Sequence, residues 1–443
     1  MMQEQLEKQF KGKKALVVGL GLQGGGVGMV EFFVRLGATV RATDLKSEDA
    51  LQESVQRLKK YSAELTLGGH KQEDFLWADV IFKGPSVPWD MPHIVEAQKK
   101  GIPVEMEASF FATYCPAPII GVTGTRGKST TASMIYETLK NAGKKTYLAG
   151  NVAGVSTISL LEYITKDDWV VLELSSWQLS GFHRRTISPH IAVFTNFYPD
   201  HLNYYKNLDE YLYDKTAIFC FQKESDTLIA HESVRKYIKT AAKVTSYTKN
   251  TYTNKLKYLS GDHNYENASG ALLAAVSAGI DRKNAIVTIS DFHGLPFRLQ
   301  KIASIDGVDV YNDTTSTTPI ACEKAIDTLK KKRIILLLGG NSKKLSPDNL
   351  VKKINTDVYK IVLLKGTFTD EITPFLDKSK IKDDTIYANL GQAVHTAFEG
   401  IKQGDVILFS PAATSFAHFK NEFHRGEEFN KAVQTYATKK KDA

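Results

Sequence analysis

The hydrophobic pattern alternates short, continuous apolar runs with longer stretches in which apolar residues recur at helical spacing, and it does so in three successive blocks. Runs such as Ala15-Leu16-Val17-Val18 and Ile334-Ile335-Leu336-Leu337-Leu338 read as strands buried on both faces, the habit of parallel sheets. The first block predicts a strand over 14–20, a glycine turn through Gly19, Gly21 and Gly24, and a helix carrying Val30, Phe32, Phe33 and Leu36. A strand over 39–44 ends in Asp44, and strands follow near 79–82 and 103–106. The second block predicts an apolar strand entering a glycine loop at 119–131, a helix over 129–141 stopped by Gly143, strands at 145–149, 169–173 and 190–195, and a helix over 208–221. The third begins near Leu299, with strands at 308–311, 334–338, 361–364 and 406–409 and a closing helix over 417–438. The expectation is an α/β protein of three domains, 1–106, 107–298 and 299–443, the first a Rossmann-like unit.

Composition leaves that picture intact. The 443 residues are 42% hydrophobic and 24% charged, an ordinary globular balance. The longest apolar runs fall far short of the roughly 20 residues that span a bilayer, and the first residues have no signal-peptide core, so a cytoplasmic protein without membrane insertion is expected. Cys115, Cys220 and Cys322 lie far apart, which fits a reducing compartment and argues against a zinc site. The net charge of +8 sits in scattered lysines without an aromatic-basic repeat, so it predicts solvated faces and a small anionic substrate and not a nucleic acid.

The loop after residues 119–123 carries the chemistry. In Gly121-Val122-Thr123-Gly124-Thr125-Arg126-Gly127-Lys128-Ser129-Thr130 the glycines let backbone N–H groups close around phosphate oxygens, and the following helix adds its positive end. Lys128 adds full charge, and Ser129 or Thr130 can ligate Mg²⁺. ATP is the expected ligand. Five residues, against four in the common phosphate loop, separate Gly121 from Gly127. The Gly19-x-Gly21-x-x-Gly24 turn with Asp44 also predicts nucleotide binding, with NAD the default ligand for such a turn until the second phosphate loop is considered. Glu173 closes a buried strand, where an unpaired charge is costly and calls for a metal or cation, and Asp200-His201 follows another strand at the edge where α/β proteins assemble sites.

The variant phosphate loop resembles that of the Mur ligase superfamily, ATP-dependent enzymes that form amide bonds. Leu172-Glu173-Leu174-Ser175-Ser176-Trp177-Gln178-Leu179, Asp200-His201-Leu202, His263-Asn264-Tyr265-Glu266-Asn267, Ser410-Pro411-Ala412-Ala413-Thr414-Ser415 and Arg425-Gly426 occur in this order in that family, above all in its glutamate-adding members. The resemblance implies the three-domain Mur ligase architecture, with a Rossmann-like N-terminal domain for a UDP-linked substrate, a central P-loop ATPase domain and a Rossmann-like C-terminal domain for an amino acid. It further implies a monomer that adds D-glutamate to UDP-N-acetylmuramoyl-L-alanine.

By the same resemblance, Gly124, Thr125, Arg126, Gly127, Lys128, Ser129 and Thr130 would cradle ATP, with Asn264 and Asn267 on its adenine side and Arg298 and Asp313 reaching it from the third block. Ser129 and Glu173 would hold one Mg²⁺ and His201 a second, and Lys215 matches the lysine that these ligases carbamylate. Leu22, Gln23, Asp44 and Leu45 would line the uridine pocket, with Asn151 near the substrate's reacting end. Thr317, Lys343 and Ser415 would receive the amino acid. Three places depart from the family's pattern. Thr315 stands where a lysine is common, Glu422 where an aromatic is common, and Gly84-Pro85-Ser86-Val87-Pro88 where Ser-Pro-Gly-Ile is usual. A carboxylate beside an acidic amino acid would repel it, so Glu422 either points away or changes the amino acid. The alternatives are a sister ligase for another amino acid and a nucleotide sensor without catalysis.

Overall fold

The computed structural model describes the chain apart from residues 1, 22–24, 153–154, 202–203, 260, 344, 416–418, 420 and 442–443. The first sheet contains β1 (Lys14–Val18), β2 (Thr39–Asp44), β3 (Ala63–Leu67), β4 (Val80–Lys83) and β5 (Val104–Glu105), all parallel, in the order β3-β2-β1-β4-β5. The winding reverses between β1 and β4, where Val18 pairs with Lys83. That reversal opens a crevice at the strands' carboxyl ends.

The second sheet holds β6 (Ile119–Thr123), β7 (Thr146–Gly150), β8 (Trp169–Glu173), β9 (Ile191–Phe194), β10 (Thr227–His231) and β11 (Lys243–Tyr247) in the parallel order β11-β10-β9-β6-β8-β7. Here the reversal flanks β6, so the phosphate loop leaves the sheet between β8 and β9. Those neighbours deliver Glu173 and the 195–201 loop. The third sheet holds β12 (Gln300–Ile305), β13 (Val308–Asn312), β14 (Ile334–Gly339), β15 (Val358–Leu364), β16 (Ile381–Tyr387) and β17 (Val406–Phe409), ordered β12-β13-β17-β14-β15-β16, with only β12 antiparallel. Every residue of β14 is buried, as its unbroken apolar run predicts.

The first two sheets lie in one compact unit, Met1–Phe292, and the third in another, His293–Ala443. Some helices begin where the sequence supplies caps. Ser175 and Gln178 close a capping box on helix Ser176–Arg185, and Asn207 caps helix Leu208–Thr216. Three helix limits differ from the expectation. The helix after the phosphate loop starts at Lys128, the 208–221 helix ends at Thr216, and the last helix runs Glu422–Lys441, the expected start at 417 falling outside the described residues. No helix among the described residues is long and apolar enough to cross a membrane.

Candidate active site

The phosphate loop is shaped by two glycines whose positive φ and close neighbours disfavour any side chain. Gly124 has φ 147° and Gly127 φ 80°, and a Cβ on Gly124 would lie 1.9 Å from Thr195 Oγ1, one on Gly127 2.2 Å from Asn267 Oδ1. The next strand's loop clamps it from the side. Asn196 Oδ1 accepts from Arg126 N at 2.8 Å, Asn196 Nδ2 and Thr195 Oγ1 donate to Arg126 O, and Thr125 N donates to Asn196 O. Thr195 and Asn196, which the sequence reading left without a role, hold the loop's backbone in place. Their only signal was adjacency to Asp200-His201. The Arg126 side chain projects outward near Asp200 at 3.8 Å.

Two lysines meet on one carbonyl. Lys128 Nζ donates to Gly124 O at 3.0 Å and Thr125 O at 3.1 Å, and Lys215 Nζ donates to Gly124 O at 3.0 Å. Lys215 is only 1% exposed and lies 4.8 Å above the Tyr211 ring, with no carboxylate at ion-pair distance among the described residues. Burial, then the Lys128 charge, hold its amine well below the usual lysine range, against the pull of Asp200 and Asp214. A helix lysine that looks like a surface residue in the sequence is thus an interior amine inclined to be neutral.

His201 follows β9 with φ 55°, its ring 5.2 Å from that of Trp177. Burial lowers its pKa foremost, with Lys215, Lys128 and Arg126 adding to the effect and Asp200 opposing it, so the imidazole is neutral and able to ligate. Glu173, 5% exposed, accepts from Asn151 Nδ2 at 3.0 Å and has no cation beside it among the described residues. No three His, Cys, Asp or Glu side chains converge as a metal cluster among the described residues. A buried carboxylate lacking a cation, on the strand paired with the one that leads into the phosphate loop and Ser129, suits a Mg²⁺ that brings phosphate and water oxygens of its own. Asn267, 6% exposed, accepts from Thr131 Oγ1 and reaches Asn264, so both predicted adenine-side residues lie on one helix, Asp262–Ser277, against the loop.

At the N-terminal turn, Asp44 Oδ2 accepts from Leu20 N at 2.9 Å and Gly21 N at 3.2 Å, and its Oδ1 from Lys46 N. Leu45 is 70% exposed beside it. The expected Leu22 and Gln23 contacts lie outside the described residues.

In the second unit, Asp313 directly follows β13 and is held by Leu299 N–H and the Ser410 hydroxyl, its pKa pushed by burial to about 6. Arg298 is exposed nearby in sequence, between Phe297 and Leu299, both at positive φ. Lys343 Nζ donates to Thr317 Oγ1 at 2.9 Å, and the Asn341–Thr414 bridge tethers the loop of Lys343 to that of Ser415. All three expected amino-acid contacts therefore share one loop cluster. Behind them sits Arg425, wholly buried, bonding Thr314 Oγ1, Thr314 O and Ala413 O, its pKa lowered by burial to about 10. The nearby charge of Glu422 opposes that lowering, so this carboxylate acts on the buried arginine. Thr315, in the place of the missing lysine, donates to Phe297 O.

Comparison with known proteins places the chain in a family. Residues 13–105 match the Mur ligase MurD-like N-terminal domain, 122–279 the Mur ligase middle domain and 297–413 the Mur ligase glutamate ligase domain. A UDP-N-acetylmuramoylalanine–D-glutamate ligase of Borreliella afzelii is 35% identical, the match covering 96% of this chain and 98% of that protein, and one from Roseiflexus sp. is 32% identical over 97% and 100%. Among solved structures, UDP-N-acetylmuramate-alanine ligase MurC from Thermotoga maritima matches with a TM-score of 0.57 at 19% identity, covering 96% of this chain and 100% of that one, a likeness of fold. The chain belongs to the Mur ligase family, in the branch of the UDP-N-acetylmuramoylalanine–D-glutamate ligases.

Proposed function

We propose that this protein joins D-glutamate to UDP-N-acetylmuramoyl-L-alanine with ATP, in the cytoplasmic synthesis of peptidoglycan precursors. The observation that carries the reading is the meeting of Lys128 and Lys215 on the Gly124 carbonyl, directly after a strand hydrogen-bonded to the one that ends in Glu173. The named activity of relatives at 32% and 35% identity supports the choice of substrates. In this reading residues 1–106 take the UDP-linked substrate through Leu22, Gln23, Asp44 and Leu45, residues 107–298 take ATP, and residues 299–443 take the amino acid through Thr317, Lys343 and Ser415.

The substrate carboxylate attacks the γ-phosphate, giving an acyl phosphate and ADP. The amine of D-glutamate then attacks the acyl carbon, and phosphate leaves. Lys128, released from the loop carbonyls, neutralises the β- and γ-phosphate oxygens, and loop N–H groups orient them. Ser129 and Glu173 would hold Mg²⁺, with His201 at a second position, and the metal when bound supplies positive charge against the transferring phosphoryl group. Lys215 in its neutral form is the amine suited to carry a carbamate. Asn151 orients Glu173. Lys343 receives a carboxylate of the incoming amino acid.

The test is phosphate release from ATP with UDP-N-acetylmuramoyl-L-alanine and a panel of D- and L-amino acids, with product masses. A product gaining one glutamate from the D-isomer alone is expected. Another amino acid in the product would reassign the specificity, and nucleotide binding without phosphate release would favour a non-catalytic sensor.

A further inference from the structure

The turn after β4, one of the departures from the family pattern, is held from beneath by a residue that no motif marks. Lys83 is 1% exposed at the end of β4, at the sheet reversal where Gly84 N bonds Val18 O. Its Nζ donates to Val87 O at 2.8 Å, closing the turn over 84–87, and lies 4.2 Å from the centroid of the Trp89 ring. The Trp89 indole N–H donates to Ser180 Oγ at 2.8 Å, and the Arg184 guanidinium lies 4.0 Å from the same ring. Ser180 and Arg184 belong to helix Ser176–Arg185, whose first turn carries Trp177 against His201. One indole thus bridges the crevice of the first sheet and the wall of the catalytic pocket.

We infer that Lys83 and Trp89 are positioning residues for the nucleotide substrate, fixing the 84–88 turn at the mouth of the first crevice and tying it to the helix beside His201. The inference rests on the proposed function for the identity of that substrate. Neither residue needs to touch it. A turn pinned at Val87 and Trp89 leaves Pro85, Ser86 and Pro88 exposed in one arrangement, so binding does not have to order them. The alternative, an unpinned turn, would leave the ligand to order the segment itself.

The charge on Lys83 is what strengthens the grip, because an ammonium makes the stronger bond to Val87 O and is the species drawn to the indole face. Burial, then the Arg184 charge, lower its pKa to about 7, while Asp214 on helix Leu208–Thr216 opposes them. Arg184 and Asp214 are the charged groups that bear on it from the packed elements. The grip is firm below about pH 7 and loosens above it.

Steady-state kinetics between pH 6 and 8.5 test this. Lys83→Met is expected to raise KM for UDP-N-acetylmuramoyl-L-alanine about tenfold, the cost of one charge-assisted hydrogen bond, with KM for ATP within about twofold. Its nucleotide KM should be flat with pH, where that of the natural protein rises through pH 7. A Lys83→Met enzyme with unchanged nucleotide KM and the natural pH profile would overturn the inference. Trp89→Phe keeps a ring beneath the cations and removes the N–H to Ser180. It should raise the same KM severalfold while retaining the pH dependence, so the idea stays testable if Lys83→Met does not fold. A third readout needs no turnover. The part of the tryptophan emission that Trp89→Phe removes should titrate near pH 7, and absence of that titration would likewise refute a Lys83 ammonium on Trp89. Failure of every substrate in the panel would sink the proposed function and leave this optical test standing.

Discussion

Replacing Glu107 with glutamine should make the protein less sensitive to alkaline pH. The Glu107 carboxylate reaches inward, accepting from Ile158 N at 3.1 Å and Ser156 Oγ at 3.3 Å, while a Cβ on Gly25 would lie 3.0 Å from its other oxygen. It therefore sits between the start of the helix after the first glycine turn and the segment following Asn151. Burial raises its pKa from the ordinary 4.5 to about 7, against the partial relief of those donors. In the folded protein the group keeps its proton up to about pH 7, whereas the unfolded chain releases it above about 4.5. Between those values the folded state binds more protons, so its contribution to stability is present at low pH and is lost as pH rises through 7. At roughly 1.4 kcal/mol per pH unit, that gap sets a ceiling of roughly 3 kcal/mol. The residue as a whole is not fully enclosed, and the remaining solvent screening brings the working figure to about 2 kcal/mol. Glutamine keeps an oxygen for Ile158 N and has no proton to lose. Urea denaturation of both proteins at pH 5 and pH 8 should show Glu107→Gln gaining about 2 kcal/mol on the natural protein between the two conditions. A stability difference that is the same at both pH values would refute the reasoning, because it would mean that Glu107 is ionised throughout.

Lys128→Ala and Glu173→Ala should each reduce turnover by a factor on the order of a hundred, the usual cost of one charge-stabilising group, and near-normal phosphate release from either would remove the proposed site. Lys215→Ala should be inactive and partly restored by a short carboxylate such as acetate, and full activity of the natural enzyme in bicarbonate-free buffer, with an unmodified Lys215 by intact mass, would contradict the carbamate role. Arg425→Met should destabilise the second unit by roughly 2–4 kcal/mol, since it strands the buried carbonyls of Thr314 and Ala413, and a melting curve matching the natural protein's would show that those groups find other partners.

The strands that the sequence pattern marks most plainly are those buried on both faces. β1, β8, β14 and β17 carry apolar runs because each has a strand on either side, although the edge strands β5 and β7 were also expected and the interior strand β10 was not. The strands it left out include β3, β11, β12 and β16, which lie at sheet edges and carry residues such as Glu64, Lys243, Lys301 and Asp384 among their apolar positions. An edge strand has one partner and open water on the other side, so its sequence need not be apolar. The phosphate loop was legible because its chemistry is contained in consecutive residues. Lys215 was legible only through its motif, since nothing local distinguishes a helix lysine that points inward. Lys83 and Glu107 left no mark at all, and Arg425 showed only as part of a motif, with nothing to say that it is buried. Each is a charged residue made interior by elements distant in the chain, which no window of sequence contains.

Asp44 gives the first glycine turn an anion of its own. With the N–H groups of Leu20 and Gly21 already bonded to that carboxylate, the backbone at these two residues is held by the fold itself, and those two donors are not waiting for a pyrophosphate. A dinucleotide that docks by filling such donors would have to compete with a tethered carboxylate at very high local concentration. A nucleotide bound there, as proposed, would meet backbone at Leu20 and Gly21 whose entropy was lost when the chain folded, leaving more of its binding energy for recognition of the base and sugar. The same side chain that makes the turn look like a cofactor site in the sequence thus occupies two donors that such a cofactor would otherwise compete for.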